Sequence, residues 1–561
     1  MKGVLNVLKL NRKRAENPDR PGSNALGRDT EPPLSSVTDA KRCSEWLARL
    51  PRTNTQQVTQ AIAALLETLD GAGLFPLQDL EILETLRHTL MFAQDENAAK
   101  YRFRALPFGV QERAMFEHVT GVWQMLHQAY ANALHTASDP GCETHSHFAL
   151  ICQRTIAHTA LTMRETVLAR QEIPHALWTQ LHTYFEIAHA SGIAEERVRD
   201  SESATAPHSS CHEVYLQALL FDLAQPYSVR SRDCKLVFEL AGRWAKKVEL
   251  IPAATGDEPG SEGGRLHVNL GSERGASRQK SDHGGRVLNL NRSALSKALR
   301  KRMAQLEEGT PTGDAEIDNM AKTAALELLS MLHRNWCESG NERMFRRRAG
   351  AESIEVCSGF DAMHYYVSGN AFVQPDHVRT YSTREHDEIH TFRGLVVPSQ
   401  KVHGASSVGL YTERWNVLDQ AATGFRLERR GHGARYSQHQ LIAVRPADAQ
   451  NYLLCEICWM METEDGALNM GLQALPGVPH ALAIRPGGPK KQSSEAYVRA
   501  FILPANPAIG SVNSLVLPGG WFQSDRQIEI FSDGLARVRL LELLDRGLDY
   551  DRVTFELVPG N

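Results

Sequence analysis

The sequence has no uncharged apolar run approaching the ~18 residues that a membrane-crossing helix needs, so no transmembrane segment is expected. It has no excess of positive charge either. Its 62 Lys and Arg stand against 66 Asp and Glu, for a formal charge of −4, which gives no electrostatic footing for DNA or RNA as a partner. Cysteine is thin and scattered. The nine residues, at 43, 142, 152, 211, 234, 337, 357, 455 and 458, lack the density of a secreted disulfide scaffold, and a cytoplasmic setting is expected. The phosphate-cradling patterns GxxxxGK followed by Ser or Thr and strand-bounded GxGxxG are absent, as is a GxSxG elbow, so nothing points to an enzyme. What the chain does have is length and core. Its 561 residues with 42% apolar content suit a multidomain globular protein.

Residues 1–38 carry Pro, Ser, Asn and charge and read as a disordered basic arm. Within it the apolar start Val4–Leu10 precedes the basic cluster Arg12–Arg14, the reverse of the order in a secretory signal. Helical periodicity dominates residues 39–338. Met115, Phe116, Val119, Val122, Trp123, Leu126, Ala129, Tyr130 and Ala133 recur three and four apart and mark one buried helix face. Further helices are expected over His147–Arg170, Pro174–Gly192, 211–224, 231–247, 292–308 and Ala315–Cys337. No fixed period recurs, so the region reads as an all-α bundle or irregular array. Residues 252–286, dense in Gly, Ser and Pro, read as a flexible insertion holding a strand at Arg265–Leu270, with a second strand following at Arg286–Asn291. From 339 the pattern turns to β. Short apolar runs punctuated by Gly, Pro and Asp predict an antiparallel barrel over 339–475, with a long loop insertion at 370–409, and a second small β unit over 476–561. The fold class expected is multidomain α+β.

Two features of the β half carry chemistry. The run Arg343-Met344-Phe345-Arg346-Arg347-Arg348 follows the last long helix, and Asp419-Gln420-Ala421-Ala422-Thr423-Gly424 sits between the strand-like runs Arg414–Leu418 and Phe425–Leu427. Guanidinium forks meet phosphate oxygens or the O6 and N7 acceptors of guanine bidentately, and a carboxylate accepts from guanine N–H groups. Taken alone, the arginines would also suit a solvated helix end and the second run an ordinary hairpin turn. Together they resemble the RxxxR and D/NxSxxG signature of PilZ domains, receptors for cyclic di-GMP. The resemblance implies a PilZ-like antiparallel β-barrel at 339–475 and a non-catalytic receptor with cyclic di-GMP as ligand. Its ligand-binding residues would be Arg343, Arg346, Arg347, Arg348, Asp419 and Gly424, with a protein partner engaged through the helical domain. The sequence departs from the signature in two ways. Ala421 stands where the family has Ser, removing a hydrogen bond of roughly 0.5–1.5 kcal/mol. The half-motifs are also separated by a long insertion, although loop closure costs only about 0.6 kcal/mol more per doubling of length. These departures suit the alternative of a ligand-free PilZ-like scaffold whose helices bind a motility, pilus or secretion component. No GGDEF or EAL run accompanies the motif.

Three other patterns were weighed. His386-Asp387-Glu388-Ile389-His390 has Asp where a zinc peptidase motif needs Glu, and it reads as loop. Cys455 and Cys458 have metal-like spacing but fall on opposite faces of the expected strand, which makes them apolar fillers. Cys142, His145 and His147 read as the start of a helix. No metal site is expected.

Overall fold

The computed structural model describes residues 34–69, 75–202, 207–253, 266–278, 284–338, 348–349, 353–375, 410–421, 423–487, 496–507, 510–532 and 534–558. The chain divides into two compact units. The first runs to Glu342 without Ala105–Pro107, and the second comprises Ala105–Pro107 and Arg343–Asn561.

The first unit is helical. It contains α1 (Ala40–Arg49), α2 (Thr55–Leu69), α3 (Leu77–Ala98), α4 (Val110–Ala137), α5 (Phe148–Leu168) and α6 (His175–Ala190). After the ribbon of β1 (Val198–Arg199) and β2 (His208–Ser209) come α7 (Cys211–Leu223) and α8 (Cys234–Ala245). The apolar stripe predicted around Val119 to Ala133 faces inward on α4. Helix α5 is buried nearly all round, so its polar residues need partners in place of water. Arg154 meets Glu84 at 2.8 Å and Asp200 at 3.3 Å, and Glu165 accepts from Arg102 at 2.7 Å. Such pairs fix packing more than they add stability.

The glycine-rich stretch proves to be more than a flexible insertion. Strands β3 (Glu249–Pro252), β4 (His267–Asn269) and β5 (Val287–Asn291) form an antiparallel sheet in the order β3-β5-β4. Val268, Leu288 and Leu290 join the helical core. Next come α9 (Ser293–Glu308), α10 (Ala315–Asp318) and α11 (Lys322–Cys337), so the helix expected over Ala315–Cys337 is two. The Asp314 side chain caps the short one by accepting from the Glu316 and Ile317 amides.

The second unit holds two barrels. The first consists of β6 (Arg348–Ala349), β7 (Ser353–Ser358), β8 (Glu413–Ala421), β9 (Gly424–Arg429), β10 (Leu441–Pro446), β11 (Leu453–Glu462) and β12 (Leu468–Ala474). Its order is β6-β8-β7-β10-β11-β12-β9, and β9 pairs back onto β8 to close the ring. Strands β6 and β7 share one edge of β8, at its two ends. Helix α12 (Phe360–Ser368) follows β7. Residues 434–436 lie outside the named strands; there the Ala434 amide donates to Glu413 and the Tyr436 ring packs edge-on to Trp415.

The second barrel is closed by β13 (His480–Pro486), β14 (Val498–Leu503), β15 (Ser514–Pro518), β16 (Gln527–Phe531), β17 (Leu535–Arg546) and β18 (Tyr550–Leu557). Its order is β13-β14-β15-β18-β17-β16. The two barrels share an apolar seam in which Leu441, Ala443, Leu454 and α12's Met363 meet Phe501, Leu503, Val516 and Tyr550. Polar ties cross the same seam. Tyr550 donates to Glu456, the Leu548 amide to the His439 carbonyl at 2.7 Å, and the Leu441 amide to Asp549 at 2.9 Å.

Candidate functional site

The hairpin predicted at 419–424 is β8 turning into β9. Ala421 pairs with Gly424. A Cβ on Gly424 would fall 2.5 Å from the Leu472 carbonyl oxygen, so the fold needs glycine here for close approach of β9 to β12. This requirement holds with or without a ligand. Arg343, Arg346 and Arg347 lie outside the described residues, as does the run His386–His390. Arg348 is described in its backbone alone, and that backbone is informative. Arg348 pairs with Gln420 and Ala349 with Asp419. The sheet therefore sets the end of the arginine run beside the Asp419 hairpin, although the two are remote in sequence.

Asp419 reaches the outer face of the barrel through a fault in the strand. Trp415 and Val417 point into the core, and counting by twos would send Asp419 after them. The register instead passes from Val417↔Leu427 to Asp419↔Arg426, so Leu418 is an extra residue on β8. A bulge of this kind flips the alternation. The same event occurs on β11, where Ile457↔Leu472 is followed by Trp459↔Gly471 and Cys458 is the extra residue. Trp459 thereby leaves the core phase of Cys455 and Ile457. Because Arg426 also pairs with Gly471, Asp419, Arg426, Gly471 and Trp459 fall in one register row across β8, β9, β12 and β11.

This row is closely packed. A Cβ on Gly471 would sit 1.9 Å from Trp459 Nε1, so only glycine leaves the indole room to lie across β12. The Arg426 guanidinium carbon is 5.8 Å from the centroid of that indole. Arg426 Nε is buried without a hydrogen-bond partner among the described residues. Neither Arg426 nor Trp459 belongs to a motif legible in the sequence. The signal available was a carboxylate and a tryptophan, each two residues after a core-facing residue and each off the expected alternation.

At the far end of β9 stands a different arginine. Arg429 is 5% exposed, lies 4.9 Å over Trp415, and pairs with Glu413 at 2.6 Å. Burial pushes the Glu413 carboxyl up. The Ala434 amide, the Arg429 guanidinium and the Tyr436 hydroxyl outweigh it and hold the group below the usual carboxylate range. This arginine is spent on the fold.

Cys455 is buried, Cys458 half-buried, and both are free thiols, with burial raising Cys458 to about 12. Cys142 precedes a short 3-10 turn, Glu143–His147, that leads into α5. No group of metal-ligating side chains occurs among the described residues, and no helix among them is long and apolar enough to cross a membrane.

Comparison with known proteins follows this architecture. Residues 41–254 match the family description "Cyclic-di-GMP receptor FimW, N-terminal domain", residues 272–393 "Cyclic-di-GMP receptor FimW, middle PilZ domain", and residues 482–558 "FimW C-terminal beta-barrel domain". The middle of the chain thus matches a PilZ-domain family. The third match coincides with β13–β18, and the middle match spans the arginine run, β6 and β7. The hairpin at 419–424 lies beyond the middle match, and it is the strand pairing that connects the two. A curated relative, the cyclic-di-GMP receptor FimW of Pseudomonas aeruginosa, is 20% identical over 541 residues, covering 88% of this chain and 86% of its own.

Proposed function

We propose that this chain is a cyclic di-GMP receptor: a non-catalytic, cytoplasmic signalling adaptor whose first barrel captures the nucleotide and whose helical unit engages a protein partner. The observation that carries the proposal is the pairing of β6 with β8, which sets Arg348 and Ala349 against Gln420 and Asp419. A dinucleotide with two phosphates and two guanines needs cationic forks and a carboxylate near one another, and a backbone pairing that brings the end of the arginine run to the hairpin strand supports that reading. The name of the Pseudomonas relative supports the choice of ligand. In this proposal Arg343, Arg346, Arg347 and Arg348 take phosphate and guanine acceptors, and Asp419 accepts from guanine N–H groups. Gly424 holds the hairpin close to β12. Capture shifts the population toward one partner-binding state.

The test is isothermal titration of the full chain with cyclic di-GMP, with GTP and cyclic AMP as controls. Saturable binding that is lost in Arg347→Ala and in Asp419→Ala is the expected result. Binding unchanged in both variants would remove the site assignment. Absence of binding to well-folded protein would instead favour the ligand-free scaffold to which Ala421 already points.

A further inference from the structure

The row Asp419, Arg426, Gly471 and Trp459 contains two residues that no signature covers, and the fold goes to some length to place them. Two separate bulges, at Leu418 and Cys458, turn a carboxylate and an indole out of the core phase onto the same face. Between them, a glycine that excludes any Cβ makes room for the indole. A guanidinium stacks on that indole, and its Nε has no hydrogen bond within the described structure. Arg429 spends its two terminal nitrogens on Glu413 and the Ala434 carbonyl, its own Nε being likewise unbonded. A tryptophan serving only as filler would stay in the core, where β11 directs its neighbours Ile457 and Met460.

We propose that Arg426 and Trp459 form a stacking platform for a purine base of the bound nucleotide, beside Asp419, which reads the base edge. The inference rests on the receptor reading above and adds to it the residues that grip the base by its face. A flat π-surface backed by a guanidinium favours a planar heteroaromatic ring whatever its substituents, and the edge contact supplies the selectivity. Lysine at 426 keeps the charge and loses the planar surface, so Arg426→Lys separates stacking from simple attraction.

The experiment is titration of cyclic di-GMP into the wild-type chain and into Trp459→Ala, Trp459→Phe, Arg426→Lys and Gly471→Ala. Intrinsic fluorescence is followed together with heat, and melting temperature serves as the folding control. Trp459→Ala is expected to weaken binding about tenfold or more, with Trp459→Phe between it and wild type. Gly471→Ala, which keeps the indole but displaces it, should behave like the alanine variant. Ligand-induced quenching in the wild type should disappear in Trp459→Phe. Wild-type binding with unchanged affinity in Trp459→Ala and Arg426→Lys would overturn the platform and leave the receptor standing. Failure of the wild type to bind would overturn both.

Discussion

The two barrels close in the same way, six antiparallel strands each, but treat their cations differently. In the second barrel Arg485, Arg546 and Arg552 are tied to acceptors, while Arg499 lies 4.5 Å over Phe372 with its Nε unbonded. Arg485 lies 4.5 Å over Tyr497 and donates to Glu529 at 2.8 Å; Arg552 donates to Ser514 at 3.0 Å and to Asp545 at 2.9 Å; the buried Asp551 accepts from Arg546 at 2.8 Å. In the first barrel Arg426 is stacked yet keeps a donor unused, on a face re-aimed by two bulges. Identical topology thus carries carboxylate-paired arginines in one barrel and, in the other, an arginine stacked on an indole that a bulge has turned outward.

The comparison can be broken most severely at the seam the barrels share. Phe501 is fully buried there among residues of both barrels. Phe501→Ala should cost about 3–5 kcal/mol, and in a denaturant titration the first-barrel signal should move with that of the second. A first-barrel transition left in place would show the barrels to be independent.

A smaller loss, about 2 kcal/mol, is expected for Glu413→Gln, which leaves the Arg429 guanidinium buried beside a neutral partner. The same carboxyl gives a pH dependence. Because the folded state holds Glu413 below its ordinary value, the stability it contributes is full above the unfolded value of ~4.3. It is lost as pH falls through the lowered one. Melting curves of wild type and Glu413→Gln should therefore converge in acid; a gap that persists there would assign the effect to shape.

The smallest effect belongs to the second barrel. Arg537→Ala should change stability by less than about 1 kcal/mol, since the Arg537 side chain is 56% exposed and Glu529 keeps Arg485. Nucleotide titration should be unaffected by it. Altered affinity would mean that the second barrel takes part in recognition.

Much of this fold was legible because its periodicities are clean. The α4 stripe, the span of α5 and the strands at 441–444 and 468–472 appear where apolar spacing puts them. In strand β17 the apolar spacing at Leu540–Leu544 suits a helical turn as well as a strand. The cause is visible in its register, where shifts between Leu540 and Leu543 and again before Asp545 destroy the alternation. Helix α12 went unseen because nine residues hold too few turns to show a stripe, although Gly359 and Gly369, with φ of 83° and 73°, bracket it. Strand β13 was missed because His480–Pro486 is short and ends in proline. At the site, residue types gave the hairpin and the arginine run. The Arg426 and Trp459 row depends on which face each side chain takes, and that is settled by the inserted residues.

Facing in a β-strand is a parity, and one inserted residue inverts it for everything downstream. Leu418 and Cys458 act as parity bits: neither needs to touch a ligand, yet each lets two residues at even spacing, Val417 and Asp419 or Ile457 and Trp459, take opposite faces. Substituting either would leave the count intact and the row in place. Deleting either would leave Val417 next to Asp419, or Ile457 next to Trp459, in ordinary alternation, so the row would keep its face and only the local bend and twist of the bulge would be lost. Related barrels that lack either residue would present the same row from a regular strand.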